Sequence, residues 1–193
     1  MTGLVEAVYR LKKVPRTGWL VRGVPRCSVE SVAEHSFGAA VLAWEMARRL
    51  REKGVDVDPC KAVLVALFHD LPEALALDLD AVASRIYGRD VKSEAERRAA
   101  EEIFDEETKG FWEEYEECET PEGKVAKLAD LADMAIQAVE YSKSGFERWR
   151  EFVESALEGA REIGGPYEEV FLEILEEAGV IDREGGGGRA GQG

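Results

Sequence analysis

Two histidines occur in this 193-residue sequence, His35 and His69, and the second is followed directly by Asp70. His69 closes an apolar run, and a single histidine on an apolar helix is usually a hydrogen-bonded core residue. Adjacent helical positions lie about 100° apart around the axis, so an imidazole and a carboxylate there both reach one ion beyond the helix end. That ligand pair is typical of Mn²⁺, Fe²⁺, Co²⁺, Ni²⁺ or Zn²⁺.

Such an ion needs further ligands, and two other parts of the sequence contain candidates. His35 lies in the first turns of a separate predicted helix. Asp130 and Asp133 lie in an otherwise apolar segment, KLADLAD, where an unpaired charge would be costly. Residues three apart lie on overlapping faces of a helix, so the spacing does not decide between these two aspartates.

Glu73, three residues beyond Asp70, is the candidate acid or base. A positioned carboxylate can remove a proton from an attacking water. The segment Asp70-Leu-Pro-Glu73 is equally typical of a helix start, with an N-cap, a first-turn proline and a third-position glutamate. The residue pattern supports catalysis and capping about equally, and one glutamate can do both.

Four motifs follow one another along the chain: VPRTGWLVR at 14–22, ESVAEHS at 30–36, FHDLPE at 68–73 and KLAD at 127–130. Together they resemble the HD-domain metal-dependent phosphohydrolases, and among them the 5′-deoxynucleotidase branch. The family signature H…HD…D is matched by His35, His69-Asp70 and Asp130. The resemblance extends over about residues 4–165.

The resemblance implies a role for each matched position. One divalent ion (Mn²⁺, Co²⁺, Mg²⁺ or Zn²⁺) would be held by four side chains: His35, His69, Asp70 and Asp130. Glu73 would be the acid/base residue that acts on the attacking water, and Asp78 would contact the sugar. Arg16 and Trp19 would orient the phosphate. For Asp133 we favour a hydrogen bond to the site over direct ligation.

One departure from the family pattern concerns the phosphate site. Some members have the arginine and tryptophan adjacent, whereas two residues separate Arg16 from Trp19 here. Arg22 and Lys13 are therefore alternatives to Arg16. Structural interpretations also stay open, with Trp19 as a loop aromatic packed on the core and Asp78 as a turn or cap residue.

The resemblance further implies an all-α, compact multi-helix bundle that forms a homodimer. The implied activity is hydrolysis of nucleoside 5′-monophosphates, preferentially deoxy, to nucleoside and phosphate. Two alternatives remain. The same metal site could act on another nucleotide, such as a triphosphate, a cyclic dinucleotide or an alarmone, or the chain could be a non-catalytic helical interaction module.

Helical signals cover most of the chain, with proline and glycine between them. We predict helices at residues 4–13, 31–53, 60–69, 93–108, 124–142, 146–163 and 167–178, and a loop at 15–29. Ser31 and Glu34 match a capping box, and Asp58-Pro59 is a cap followed by a first-turn proline. No segment alternates at period two, so no sheet is predicted. We expect one domain over residues 1–184 and a flexible glycine-rich tail over 185–193.

The composition is acidic, with 25 Lys and Arg against 40 Asp and Glu and a formal net charge of −15. This balance argues against DNA or duplex RNA as a partner. The apolar runs at 37–44 and 62–68 are far shorter than the roughly 20 residues of a membrane helix, and no signal peptide is evident. The 3 cysteines form no C-x-x-C pair, which favours a reducing cytoplasm.

Overall fold

The computed structural model describes residues 3–182, apart from the side chains of residues 81 and 89, and its regular elements are helices. The all-α prediction is confirmed. In chain order the helices are α1 (Leu4–Leu11), α2 (Thr17–Val21), α3 (Val32–Glu52), α4 (Pro59–Phe68), α5 (Glu73–Ala76), α6 (Ala81–Tyr87), α7 (Arg89–Ile103), α8 (Glu106–Glu117), α9 (Pro121–Ser142), α10 (Trp149–Ile163) and α11 (Gly165–Glu177). The tail predicted at 185–193 lies outside the described residues, and the division into domain and tail stays a prediction.

Helix α9 lies at the centre of the bundle, in contact with α3, α4, α8, α10 and α11. Small side chains allow these close approaches, because five alanines of α9 are completely buried: Ala126, Ala129, Ala132, Ala135 and Ala138. Helices pack closely at short interhelical distances when the side chains between them are small. The aspartates of the KLADLAD segment therefore lie on the central helix of the bundle.

The two helices that carry the histidines begin as their sequences predict. Ser31 accepts a hydrogen bond from the backbone N–H of Glu34 at 3.2 Å, and Glu34 accepts one from the N–H of Ser31 at 2.7 Å. Asp58 caps α4 by accepting from the N–H of Cys60 at 2.9 Å. These caps satisfy donors that the first helical turn leaves open. His35 directly follows the capping box, so its backbone is fixed at the start of α3.

The structure differs from the sequence prediction in several segments, and α5, α6 and most of α8 were not predicted. A short helix, α2, forms within the expected loop at 15–29, where Asp78 accepts from the backbone N–H of Thr17 at 2.6 Å. The predicted helix at 93–108 is wrong in extent, because α7 ends at Ile103 and α8 begins three residues later. Asp105 caps α8 by accepting from the N–H of Thr108 at 2.9 Å. None of the helices in residues 3–182 is long and apolar enough to span a bilayer.

Candidate functional site

Three helical segments bring two imidazoles and two carboxylates to one point. Ligand atoms of His35, His69 and Asp130 all lie within 4.8 Å of one another. Nε2 of His35 lies 3.1 Å from Oδ1 of Asp130. Oδ2 of Asp70 lies 3.1 Å from Nε2 of His69 and 3.7 Å from Nε2 of His35. The four side chains that the sequence nominated as metal ligands therefore converge in space.

The hydrogen bonding of the two imidazoles fits a bound cation. Nδ1 of His69 lies 2.7 Å from the carbonyl oxygen of Ala66, and Nδ1 of His35 lies 2.7 Å from Oδ2 of Asp133. An imidazole that donates through Nδ1 carries its free lone pair on Nε2. Both Nε2 atoms are buried and have no hydrogen-bond partner in the described part of the chain. Two unpartnered imidazole nitrogens, which a metal ion binds in their deprotonated form, together with two carboxylates are the donor set of a divalent ion.

The charges of the cluster favour a cation at its centre. Burial and Arg16 lower the pKa of His35, but the carboxylates of Asp130 and Asp133 outweigh them and raise it to about 10. Burial opposes ionisation of Asp70, yet the neighbouring His69 imidazole and Arg16 guanidinium hold the pKa of this carboxyl well below its usual range. Carboxylates that stay ionised when buried need a compensating positive charge. A divalent ion would supply that charge in place of protons.

Arg16 and Asp78 lie beside the cluster and are joined through the start of α2. Nη1 of Arg16 donates to Oδ2 of Asp70 at 3.0 Å. Asp78 holds the next residue, Thr17, by accepting from its N–H and, through its own carbonyl, from its hydroxyl at 2.8 Å. Asp78 thus caps α2 and fixes the backbone that carries Arg16, which agrees with the cap interpretation and leaves a sugar contact untested.

Trp19 is almost completely buried, with 2% of its surface exposed. Its ring packs on Phe152 at 4.0 Å between centroids and meets Tyr141 edge-on at 5.2 Å. Its indole N–H donates to Glu30 at 2.8 Å. The packing agrees with a core aromatic, and Trp19 also lines the cavity described below. Its predicted contact with phosphate stays a prediction.

Glu73 is buried, and its Oε2 has no hydrogen-bond partner in the described part of the chain. Pro72 is the N-cap residue of α5, and no side chain caps this helix, so the capping interpretation of Glu73 is not seen. Burial raises the pKa of Glu73 well above its ordinary value, with further contributions from Asp70 and Asp78. A protonatable carboxyl with one unpartnered oxygen therefore lines the same cavity as His69, Asp70 and Asp130.

The site residues open onto a cavity of about 350 Å³, within the size range of small-molecule sites. Its lining includes six of the predicted site residues with ionisable side chains: Arg16, His69, Asp70, Glu73, Asp78 and Asp130. Its apolar lining includes Leu79, Leu131, Met134 and Phe152. Of the alternative phosphate ligands, Arg22 lines the cavity and Lys13 is absent from its lining.

Sequence reasoning missed two groups that line this cavity, on α7 and α8. Lys92 lies 4.0 Å from Oε1 of Glu73 and 3.4 Å from Glu96. Tyr115 lies within hydrogen-bond distance of Asp130. The spacing of Lys92 and Glu96 is that of an ordinary surface ion pair on a helix. Tyr115 lies among glutamates, a pattern typical of a solvated helix face, so the sequence contains no signal that distinguishes it.

Comparisons with known proteins identify the family of this chain. The sequence model of a family described as "HD domain" matches residues 8–169. The human protein named 5′-deoxynucleotidase HDDC2 is 36% identical over 119 residues, which are 58% of this chain and 53% of that protein. Its namesake from Dictyostelium discoideum is 32% identical over 146 residues, 69% of this chain and 73% of that protein. The chain spans about half the length of the vertebrate relatives that it matches.

A solved structure extends the likeness to nearly the whole chain. A conserved hypothetical protein from Pyrococcus furiosus superposes with a TM-score of 0.81 and is 38% identical in sequence. The match covers 92% of this chain and 98% of that one.

Proposed function

Because the chain belongs to the HD domain family, we propose that it is a metal-dependent phosphomonoesterase acting on nucleoside 5′-monophosphates, with deoxyribonucleotides preferred. The observation that carries the proposal is the pair of buried, unpartnered Nε2 atoms of His35 and His69 facing Asp70 and Asp130. The relatives named 5′-deoxynucleotidase support the substrate class.

The proposed metal ligands are the four converging side chains His35, His69, Asp70 and Asp130. A divalent ion, when bound, polarises a phosphoryl oxygen and lowers the pKa of coordinated water. Mn²⁺, Co²⁺, Mg²⁺ and Zn²⁺ all suit two imidazoles with two carboxylates, and cellular supply contributes to which is used. Asp133 completes the arrangement by holding His35 through Nδ1.

Arg16 is the proposed phosphate ligand. Its guanidinium donates a hydrogen bond from Nη1 to Asp70. The remaining N–H groups of the guanidinium are suitable donors to phosphate oxygens. Its charge neutralises the phosphoryl group as the bond to the leaving oxygen lengthens. The link from Asp78 to Thr17 holds this arginine beside the cluster, and we assign Asp78 a second contact, to the sugar.

Glu73 is the proposed acid/base residue. Oε2 accepts a proton from the attacking water, whose oxygen forms the new bond to phosphorus. The bond between phosphorus and the 5′ oxygen breaks, and that oxygen takes up a proton to leave as the nucleoside hydroxyl. Lys92, 4.0 Å from Oε1, stabilises the ionised form of Glu73 between turnovers.

The apolar lining of the cavity suits a nucleobase. Leu131 and Met134 lie on α9, directly after Asp130 and about one turn beyond it, and Phe152 contributes an aromatic ring from α10. The ring of Trp19 packs against the ring of Phe152, with 4.0 Å between their centroids. Flat apolar surfaces accept any base, so this lining favours broad base tolerance.

Phosphate release from a panel of deoxy- and ribonucleoside monophosphates with Mn²⁺ or Co²⁺ tests the proposal. We expect release that EDTA abolishes and that is faster for the deoxy series. No release from any nucleotide, with bound metal confirmed, would overturn it. Cleavage of triphosphates, cyclic dinucleotides or an alarmone that is faster than cleavage of monophosphates would favour those substrates. A metal content below about a tenth of an equivalent after Co²⁺ addition would favour a non-catalytic interaction module.

We further propose that the protein is a cytoplasmic homodimer. Phe37, Val41 and Trp44 lie on one face of α3 and are exposed, and α4, which packs on α3, exposes Leu64 and Leu67. An apolar patch of this kind is typical of an interface. Light scattering should give twice the monomer mass, and Val41→Glu should give a monomer.

The free cysteines agree with a reducing compartment, which cell fractionation can check.

A further inference from the structure

Tyr115, on α8, makes two hydrogen bonds that link it to the metal cluster. Its hydroxyl lies 2.6 Å from Oδ2 of Asp130 and 2.8 Å from Nζ of Lys127. Its ring lies against the imidazole of His69, with 4.7 Å between centroids. Tyr115 therefore contacts two of the four proposed ligands while being none of them.

The direction of both hydrogen bonds follows from the chemistry of the partners. A lysine ammonium has three donors and no acceptor, so the tyrosine oxygen must accept from Lys127. The hydroxyl has one proton, and a carboxylate can only accept, so that proton goes to Asp130. The hydrogen bond from Lys127 therefore orients the Tyr115 hydroxyl. The hydrogen bond from that hydroxyl in turn orients the carboxylate of Asp130.

The consequence lies at the other oxygen of Asp130. With Oδ2 held by Tyr115, Oδ1 faces Nε2 of His35 at 3.1 Å. A carboxylate without this tie could turn about its terminal bond and exchange its two oxygens. Partners outside the ligand shell that prevent such rotation typically change metal affinity by about 10- to 100-fold.

We propose that Tyr115 is a positioning residue that locks Asp130, and the ring of His69 beside it, in the orientation needed to bind a divalent ion. The inference rests on the metal site of the proposed function and deepens it. It assigns a role in the site to α8. None of the four sequence motifs includes this helix, because residues 106–117 lie between the motifs at 68–73 and 127–130.

The test compares Tyr115→Phe with a matched control, Tyr141→Phe. Both tyrosines are nearly buried, with 7% and 8% of their surfaces exposed. Tyr115→Phe removes the two hydrogen bonds of that hydroxyl, and Tyr141→Phe removes the hydrogen bond that the Tyr141 hydroxyl accepts from the N–H of Glu30 at 2.8 Å. The control therefore reports the general effect of removing a buried hydroxyl whose hydrogen bond is to none of the four proposed ligands.

Calorimetric titration with Co²⁺ and the visible absorption of the bound Co²⁺ are the two readouts. We expect Tyr115→Phe to bind Co²⁺ about tenfold more weakly or worse, with an altered spectrum, and Tyr141→Phe to match the unsubstituted protein. Thermal unfolding without metal should shift similarly in both variants. Equal Co²⁺ affinity and spectra in the two variants would overturn the positioning role.

The kinetic readout separates this inference from the proposed function. Tyr115→Phe should require more metal for half-maximal phosphate release and regain much of its kcat at saturating metal. If the unsubstituted protein binds Co²⁺ but releases no phosphate from any nucleotide, the proposed function fails while the affinity comparison still decides the role of Tyr115. If Tyr115→Phe loses kcat with unchanged affinity, the positioning role is wrong.

Discussion

Nδ1 of His35 lies 2.7 Å from Oδ2 of Asp133, across the contact between α3 and α9. This hydrogen bond turns the ring so that Nε2 faces Asp130. Space for the aspartate comes from Gly38, because a Cβ at that position would overlap Oδ1 of Asp133. The approach of the two helices therefore sets the orientation of a proposed metal ligand.

Gly38→Ala should weaken metal binding without unfolding the protein. The added methyl group displaces the carboxylate of Asp133, and His35 loses the partner that orients it, which we expect to lower metal affinity by about tenfold or more. Alanine is about 1 kcal/mol better than glycine inside a helix, so part of the steric cost is offset. Calorimetric titration with Mn²⁺ or Co²⁺ measures the effect.

Gly110→Ala is the matched control, since Gly110 lies within α8 and a Cβ there meets nothing within 4 Å. It should stabilise the protein slightly and leave metal affinity unchanged. The link between Gly38, Asp133 and the metal is refuted if both alanine variants bind metal equally.

Asp70→Ala should abolish metal binding and phosphate release while the helices remain. The substitution removes a proposed ligand and little core volume, although Arg16 loses its 3.0 Å partner. Metal analysis of the purified variant and its far-UV circular dichroism check the two parts. Asp58→Ala is a suitable comparison, because it removes the cap of α4, costs about 1 kcal/mol in unfolding free energy and should leave the metal in place.

Glu73→Gln should retain metal and lose turnover. Glutamine preserves the shape of the side chain but cannot accept the proton of the attacking water. Phosphate release at saturating metal and nucleotide should fall at least about 100-fold, within the usual range for general-base removal. A variant with full rate would show that Glu73 has another role.

The same substitution should stabilise the metal-free protein, increasingly as pH rises. Burial, with Asp70 and Asp78 nearby, raises the pKa of Glu73 above the ordinary 4.5, so the unfolded chain ionises at a lower pH than the folded one. The free energy of unfolding therefore falls as the pH rises above 4.5, and a variant with glutamine at this position does not show this decrease. Urea unfolding in EDTA, between mildly acidic and mildly alkaline pH, should show the growing advantage.

Glu34→Gln provides a control of opposite sign. Hydrogen bonds from Ser31 lower the pKa of Glu34, so its ionised form stabilises the fold above the ordinary pKa. This variant should be less stable than the unsubstituted protein throughout the same pH range. A Glu73→Gln variant whose relative stability does not change with pH would contradict the assigned burial effect.

Several features of the fold were predictable because they depend on residues a few positions apart. Ser31 and Glu34 form a capping box through their own side chains, and Asp58 with Pro59 starts α4. Helix α2 was not predictable, since its cap comes from Asp78, 61 residues away from Thr17. The break between α7 and α8 was missed as well, although Asp105 is a local cap, because the charged run continues through it without proline or glycine.

Residue types and their spacing were enough to reveal the family likeness, the helical class and four candidate ligands, because each motif is a short run of residue types that the chemistry requires. The way those ligands are held became visible only in the packed helices. Asp133 reaches His35 over 98 positions and Tyr115 reaches Asp130 over 15, through different helix contacts. Such hydrogen bonds depend on the distance and rotation of packed helices, which follow from the burial of many small side chains together and leave no local pattern to read.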